Sequence, residues 1–342
     1  MINIIESTII YVLCPFKTKT GGTELLHQLV YELNKNGHNA HIVYVGANSK
    51  LVNNVTSGFE NYIDKPLYID EIIDSKDNIL VVPEIFMFDM KKNYNNIQKI
   101  LWWLSVDNFV KNNGMINHFR FWGLLRTISH TIKHLYKLKP IKNFSSFADL
   151  HLCQCHYAID FLVKSGVSEN RIEYLSDYIN DIYFSKKSFE IEREDIVLYN
   201  PKKGYNFTRK LIEAAPDIKW IPLINLTTDQ VQELLAKGKI YIDFGNHPGK
   251  DRFPREAAIS GCCIITSKKG SAAYYEDVMI PDKFKFECSE KNINLIISEI
   301  KQCLSNHDEY LEYYKEYREM IKNEKEVFLN DVIKIFGKGF LL

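Results

Sequence analysis

Residues 9–45, IIYVLCPFKTKTGGTELLHQLVYELNKNGHNAHIVYV, decide the fold. Ile9 to Leu13 is an apolar run of strand length, and Lys17 to Gly22 is a polar loop closing on Gly21 and Gly22. From Thr23 to Asn36, Leu25, Leu26, Leu29, Val30 and Leu33 recur at helical spacing, which makes one face apolar. Gly37 suits the cap that ends a helix, and His41 to Val45 is the next strand. Strand, glycine loop, helix and strand make a βαβ unit, with the glycines at the carboxyl edge of its first strand.

Outward from this unit the alternation continues. Ile79 to Val82 and Ile100 to Leu104 read as strands, Tyr157 to Lys164 as a helix, and Ile172 to Leu175 as a strand. Residues 176–195, SDYINDIYFSKKSFEIERED, are polar and lack an apolar period, as a crossing between domains would. A second alternation opens at Ile196. It runs through strand IVLYN, a helix from Phe207 to Ala215, strand IKWIPL, a helix from Thr228 to Ala236, strand KIYIDF, a helix from Arg255 to Ser260 and strand CCIIT. Residues 291–337 read as two or three helices. The pattern predicts an α/β protein of two Rossmann-like, doubly wound domains facing a central cleft. Their expected bounds are 1–180 and 195–320, with 321–342 a helix packing back toward the first domain.

Composition narrows the function. The length of 342 residues is about twice a typical domain. Forty-three Lys and Arg balance 43 Asp and Glu, which argues against a nucleic-acid binder. No apolar run reaches the ~18 residues that span a bilayer. The start, MINIIESTIIYVLCPF, has no basic leader, carries Glu6 and offers no small-residue cleavage site, so a signal peptide is not expected. An odd count of seven cysteines suits reduced thiols in a cytoplasm. Cys153 with Cys155, and Cys262 with Cys263, lack a matching second cluster, so buried thiols are expected and not metal ligands.

Asp243 to Glu256, DFGNHPGKDRFPRE, carries the densest chemistry. It follows a strand and precedes a helix, where ligands of α/β sheets bind. His247, Gly249, Lys250, Asp251, Arg252 and Arg255 crowd one loop, and Pro254 suits a first helical turn. Fixed cations beside a helix start make an anion site, most naturally for a diphosphate. The other reading is a solvated loop in which Asp243, Asp251 and Glu256 neutralise the cations. Asn200, Lys202 and Lys203 with Gly204 follow the first strand of the same half, as a second phosphate loop or an ordinary turn. Gly21 and Gly22 let backbone approach a ligand closely, or simply make a tight turn. They belong to neither a Walker loop nor a dinucleotide fingerprint.

Gly-Gly-Thr-Glu at 21–24, then Asn36-Gly37-His38, resembles the opening of the retaining GT-B glycosyltransferase superfamily. Lys203-Gly204 resembles its phosphate-binding lysine region. Glu256-Ala257-Ala258 with Gly261 resembles its Glu-Ala helix, whose Glu holds the donor ribose. YIDFGNHPGKDRFPREAA followed by GSAAYYEDV is similar to a branch associated with bacterial surface polysaccharides. The resemblance covers about residues 9–280. It departs at Pro248, eight positions before Glu256, where the family usually carries a sugar-supporting Glu; His247 and Asp251 stand nearby.

The resemblance implies a donor-binding domain at 195–320 and an acceptor side at 1–180. A sugar would pass from a nucleoside diphosphate sugar to a glycan or lipid-linked acceptor, with retention and without a metal or other cofactor. Lys250, Arg252 and Lys203 would meet the charge that develops on the β-phosphate. Backbone near Trp220 to Leu223 would hold a uridine-type base. The alternative is a catalytically silent GT-B-like subunit that binds a partner transferase. A sugar-nucleotide epimerase of the same fold is a third reading. On the acceptor side, Asp107 in ILWWLSVDN either orients or deprotonates an acceptor hydroxyl or caps the next helix, and Glu84 is a weaker candidate of the same kind. Between Asp107 and Asp149 there are seven Lys or Arg and no acid, with Phe119, Trp122, Leu125 and Ile128 at helical steps. Residues 111–142 thus suit peripheral contact with the anionic inner face of a cell membrane, or packing on their own domain.

Overall fold

A computed structural model of the chain describes residues 2–46, 55–87, 94–113, 147–184 and 192–337. The chain divides into two compact units, Met1–Ser176 with Val327–Leu342, and Asp177–Glu326.

The first unit is built on β1 (Ile9–Pro15), β2 (Asn39–Val45), β3 (Leu67–Tyr68), β4 (Ile79–Pro83), β5 (Gln98–Trp103), β6 (Leu150–Cys153) and β7 (Ile172–Tyr174). They form one sheet in the order β3-β2-β1-β4-β5-β6-β7, and every pairing is parallel. Val12 lies beside Ile42 on one side and Val81 on the other. Central strands of a parallel sheet are covered on both faces, which is why they read as unbroken apolar runs. Val12, Val81, Leu101 and Trp103 are fully buried. Strand order reverses between β1 and β4, the switch point of this sheet.

Helix α1 (Gly21–Lys35) begins two residues before the expected start. Thr20 Oγ1 accepts the Thr23 N–H at 3.3 Å, and Thr23 Oγ1 accepts the Thr20 N–H at 2.9 Å. This reciprocal cap outweighs the poor helix propensity of Gly21 and Gly22, which become the first turn and not a loop. Helix α2 (Val106–Asn113) is capped by Ser105, which decides against the capping alternative for Asp107. Ser105 Oγ accepts the Asn108 N–H at 3.2 Å, so Asp107 sits inside the first turn and is not the cap. Helix α3 (His156–Lys164) follows β6. Of the basic stretch 111–142, everything beyond residue 113 lies outside the described residues.

The second unit holds β8 (Glu194–Tyr199), β9 (Lys219–Pro222), β10 (Gly238–Asp243), β11 (Cys263–Ser267) and β12 (Lys285–Phe286). Their order is β12-β11-β10-β8-β9, again all parallel, with the switch point between β8 and β10. Helices α4 (Tyr205–Ala214), α5 (Thr228–Lys237), α6 (Arg252–Ile259), α7 (Ile293–Ser305), α8 (His307–Leu311) and the part of α9 (Lys315–Phe336) up to Glu326 complete the alternation. Helix α6 starts three residues before the expected Arg255, because Asp251 is extended and Pro254, still in the first turn, needs no intrahelical donor.

Tyr178, Ile179 and Tyr183, within the stretch read as a polar crossing, are buried. Tyr183 lies in a short 3-10 turn, Asp181–Phe184, and Tyr178 and Ile179 in irregular chain before it, so no regular period advertises them. All seven cysteines are free thiols, and all but Cys288 are buried. Among the described residues no helix is long and apolar enough to cross a membrane.

Candidate functional site

Two loops meet at the switch point of the second sheet. The first, leaving β8, turns on Asn200: its Oδ1 accepts the Lys202 N–H at 3.0 Å and its carbonyl accepts the Lys203 N–H at 3.2 Å. Gly204 then takes φ 63°, a left-handed conformation costly for other residues. A Cβ on Gly204 would run into the backbone of Phe244 and Gly245, and a Cβ on Gly245 would come 2.6 Å from Lys203 Cβ. The two glycines therefore let the loops touch backbone to backbone. That approach carries Lys203 across to the second loop, where Nζ lies 2.6 Å from Asp251 Oδ1. Lys202 points to solvent.

Behind Lys203 runs a row of buried polar groups. Tyr241 OH donates to Asp243 Oδ2 at 3.2 Å, and the Gly245 N–H donates to Asp243 Oδ1 at 2.9 Å. His247, wholly buried, lies between two carboxylates. Its Nε2 is 3.7 Å from Asp243 Oδ1, and its Nδ1 is 3.0 Å from Asp251 Oδ2, an ion pair at hydrogen-bond distance but without hydrogen-bond alignment. Burial alone would discharge the imidazole, but Asp243 and Asp251 outweigh it and hold its pKa above the ordinary value. Burial also opposes the charge on Asp251, yet His247 and Lys203 together bring its pKa down. Asp243 goes the other way: burial raises it more than His247 lowers it.

Asp243, His247 and Asp251 bring ligand atoms within 4.8 Å of one another, a spacing that suits a small cation. The Lys203 ammonium already stands against Asp251, however, and the imidazole of His247, its pKa raised by the carboxylates, fills the space between them. The loop backbone is pinned as well. Ser267 Oγ donates to the Gly245 carbonyl at 2.8 Å, Ser271 Oγ to that of Gly249 at 2.7 Å, and the Ser271 N–H to that of His247 at 2.9 Å.

A second cluster occupies the start of α6. Arg255, with no exposed surface, forms an ion pair with Asp177 Oδ1 at 2.7 Å and donates to Glu324 Oε2 at 2.8 Å. Lys250 Nζ lies 3.0 Å from Glu324 Oε1, and Arg252 Nε lies 3.3 Å from Asp177 Oδ2. Burial opposes ionisation of Asp177, but Arg255, Arg252 and Lys250 keep its pKa below the usual carboxylate value. Three of the cations expected at a phosphate thus share two buried carboxylates. Withdrawing Arg255 toward a ligand would strand Asp177 and Glu324, at a cost of roughly 3–5 kcal/mol per broken pair. Glu256 lies half-buried on α6. At the end of β9, the Leu223 N–H donates to the Tyr199 carbonyl at 2.8 Å, while Trp220 Nε1 donates to the Ala215 carbonyl at 3.0 Å.

In the first unit the carboxyl ends of β1 and β4 carry different groups. Gly21 and Gly22 open α1 after β1. Glu84 follows β4, is buried, and accepts the Leu104 N–H at 3.1 Å. Burial pushes its pKa up to about 7, against the pull of the backbone N–H groups of Leu104, Glu84 and Ser105. Asp107 Oδ1 accepts from Tyr157 OH at 2.9 Å.

The residues that sequence reasoning missed are Asp177 and Glu324, together with the part played by Asp243. Asp243 heads the quoted motif and was legible as its first acid. Asp177 sits in the stretch read as a crossing, and Glu324 is one of several acids on a charged helix; neither carries a local signal.

No family model and no curated protein matches the sequence. Solved structures do share its fold. Sucrose-phosphate synthase from Thermosynechococcus elongatus is similar with a TM-score of 0.64 at 10% identity, covering 96% of this chain and 98% of that one. HepE from Anabaena, in complex with UDP-glucose, is similar with a TM-score of 0.61 at 9% identity over 97% of this chain and 100% of HepE. TarM from S. aureus, in complex with fondaparinux, α-GlcNAc-glycerol and UDP, gives a TM-score of 0.53 at 17% identity over 79% of this chain. This chain spans only 57% of the length of that TarM. At such identities the likeness is one of fold: α/β, two parallel sheets with flanking helices, of the GT-B type.

Proposed function

We propose that the chain is a GT-B glycosyltransferase that passes a sugar from a nucleoside diphosphate sugar to a glycan or lipid-linked acceptor in bacterial surface polysaccharide assembly. The observation that carries this reading is the meeting of two glycine-bearing loops at the switch point between β8 and β10, with Lys203 held at their junction. Ligands of doubly wound sheets bind at such points. Fold neighbours crystallised with UDP or UDP-glucose support the class of donor.

In the reaction, the bond between the anomeric carbon and the β-phosphate oxygen breaks, and negative charge gathers on the departing diphosphate. Lys203 is suited to meet that charge, with Asn200 and Lys202 shaping its loop. Lys250 and Arg252 add to the field, since the second cluster sets three cations against two carboxylates. Arg255 serves that cluster as its buried anchor, and Glu256 is the ribose ligand that the family resemblance implies. Gly249, His247 and Asp251 hold the loop where the family's sugar-supporting Glu would stand. Gly21 and Gly22, opening α1, are donor-binding backbone on the family resemblance, and Asp107 is the candidate base for the acceptor hydroxyl. Retention follows from the resemblance, and independence from a metal is supported by the ammonium of Lys203 beside the one carboxylate cluster that would suit a cation. The basic run within 111–142 supports peripheral attachment to an anionic membrane.

UDP binding measured by calorimetry, with transfer from a panel of UDP-sugars, tests the reading. UDP should bind, Lys203→Ala should weaken binding by roughly 10- to 100-fold through loss of a charge-assisted contact, and transfer should survive EDTA. No binding of UDP or any other nucleoside diphosphate would overturn it.

A further inference from the structure

We propose that His247 is a positioning residue for the donor: its imidazolium takes a share of Asp251, so that Lys203 stays available to the diphosphate and is not captured by Asp251. The inference rests on the reading that Lys203 meets a nucleoside diphosphate. It goes beyond that reading by assigning a task to a side chain with no exposed surface.

The geometry carries the argument. Asp251 divides its two oxygens, Oδ1 to Lys203 at 2.6 Å and Oδ2 to His247 at 3.0 Å. A diphosphate approaching Lys203 competes with Asp251 for the same ammonium. While His247 is charged, the carboxylate is shared between two cations and its hold on Lys203 is weaker. Once His247 loses its proton, the whole charge of Asp251 falls on Lys203, and Asp243, Asp251 and Lys203 together turn net negative. Both changes oppose an anionic ligand, in a place where low polarisability strengthens each charge.

Asp243, Asp251 and Lys203 are the charged groups that act on His247, whose Nε2 also lies 3.4 Å from the Asp243 carbonyl. Strand β10 brings Asp243, itself bonded by Tyr241. The loop after β8 brings Lys203, and the cap of α6 brings Asp251. The turn Gly270–Ala273 brings only the Ser271 N–H, to the His247 carbonyl. Cys288, beyond Asp243, donates to the Phe244 carbonyl at 3.5 Å; burial pushes its thiol up, so it stays neutral. Exposed Lys269 reaches Cys288 and not His247.

UDP affinity measured between about pH 6 and 9 tests the proposal in the full chain and in two variants. In the wild type, affinity should fall about tenfold as His247 discharges. His247→Gln should bind weakly, with that fall absent. Asp243→Asn removes a carboxylate that keeps His247 charged, so the fall should move to lower pH. UDP's own phosphate titration is common to all three proteins and cancels in their ratios. A measurement on the wild type alone covers the case of a variant that does not fold. By reciprocity, saturating UDP should raise the His247 titration midpoint, followed by NMR, by about one pH unit for a tenfold coupling. An unmoved midpoint, or a Gln variant with wild-type affinity and pH profile, would overturn the role. Failure of the parent reading looks different: Lys203→Ala would then keep wild-type UDP affinity, and the task assigned to His247 would fall with it.

Discussion

Glu84 shows how a single residue's surroundings become measurable. It stands at the carboxyl end of β4, buried, its ordinary pKa of 4.5 raised by burial to about 7 despite three backbone donors. A carboxyl group raised on folding favours the folded state while protonated. Its contribution is therefore full below pH 4.5 and is lost as pH rises through about 7. Relative to Glu84→Gln, the wild type should lose about 3 kcal/mol of stability on going from acid to mildly alkaline solution, read as urea unfolding of the first unit at each pH. A difference that stays constant with pH would mean that folding leaves the Glu84 pKa at its ordinary value. A buried carboxyl group poised near neutrality at a switch point is also a candidate for proton transfer, a property that no feature of the string ILVVPE announces.

Among elements, α6 and α9 are coupled through charge and not only through packing. Arg255 and Lys250 both reach Glu324 on α9, and Arg255 also reaches Asp177. Glu324→Ala would leave two cations buried with half their compensation, and should destabilise the second unit by about 3–5 kcal/mol in denaturant unfolding. Glu319, on the same helix, pairs with Lys322 in the open, and Glu319→Ala should leave the transition where it is. Equal effects in the two variants would show that the buried network is dispensable. The helix starts illustrate a milder form of the same point. Thr20 and Thr23 recruit Gly21 and Gly22 into α1 through side-chain caps, a detail written in the sequence but outvoted there by the glycines.

For the whole molecule, the consequential fact is that the charged groups of the candidate donor site all come from the second unit: Asp177, Lys203, Asp243, His247, Asp251, Arg255 and Glu324 fall within Asp177–Glu326. A fragment comprising residues 177–337, which keeps α9 whole, should therefore bind UDP as tightly as the full chain and yet transfer no sugar. Calorimetry on the fragment is the measurement. If it folds but does not bind, residues of the first unit take part in holding the nucleotide.

Much of this is legible in the sequence. Both alternations of strand and helix, the apolar face of α1 and the loops that follow β8 and β10 are local patterns, set by periods of two and 3.6 residues and by glycine placement. Such patterns also located Lys203 and the motif from Asp243 to Glu256 on the carboxyl side of their strands. The partners of the cations were not legible. Asp177 and Arg252 are 75 residues apart and Glu324 and Arg255 are 69 apart, joined only because distant segments pack together. A sequence lists charges without their distances, and coulombic and desolvation energies depend on distance and burial. Tertiary structure alone therefore decided which carboxylate meets which cation, and that Arg255 is an anchor while Lys203 stands at the loop junction.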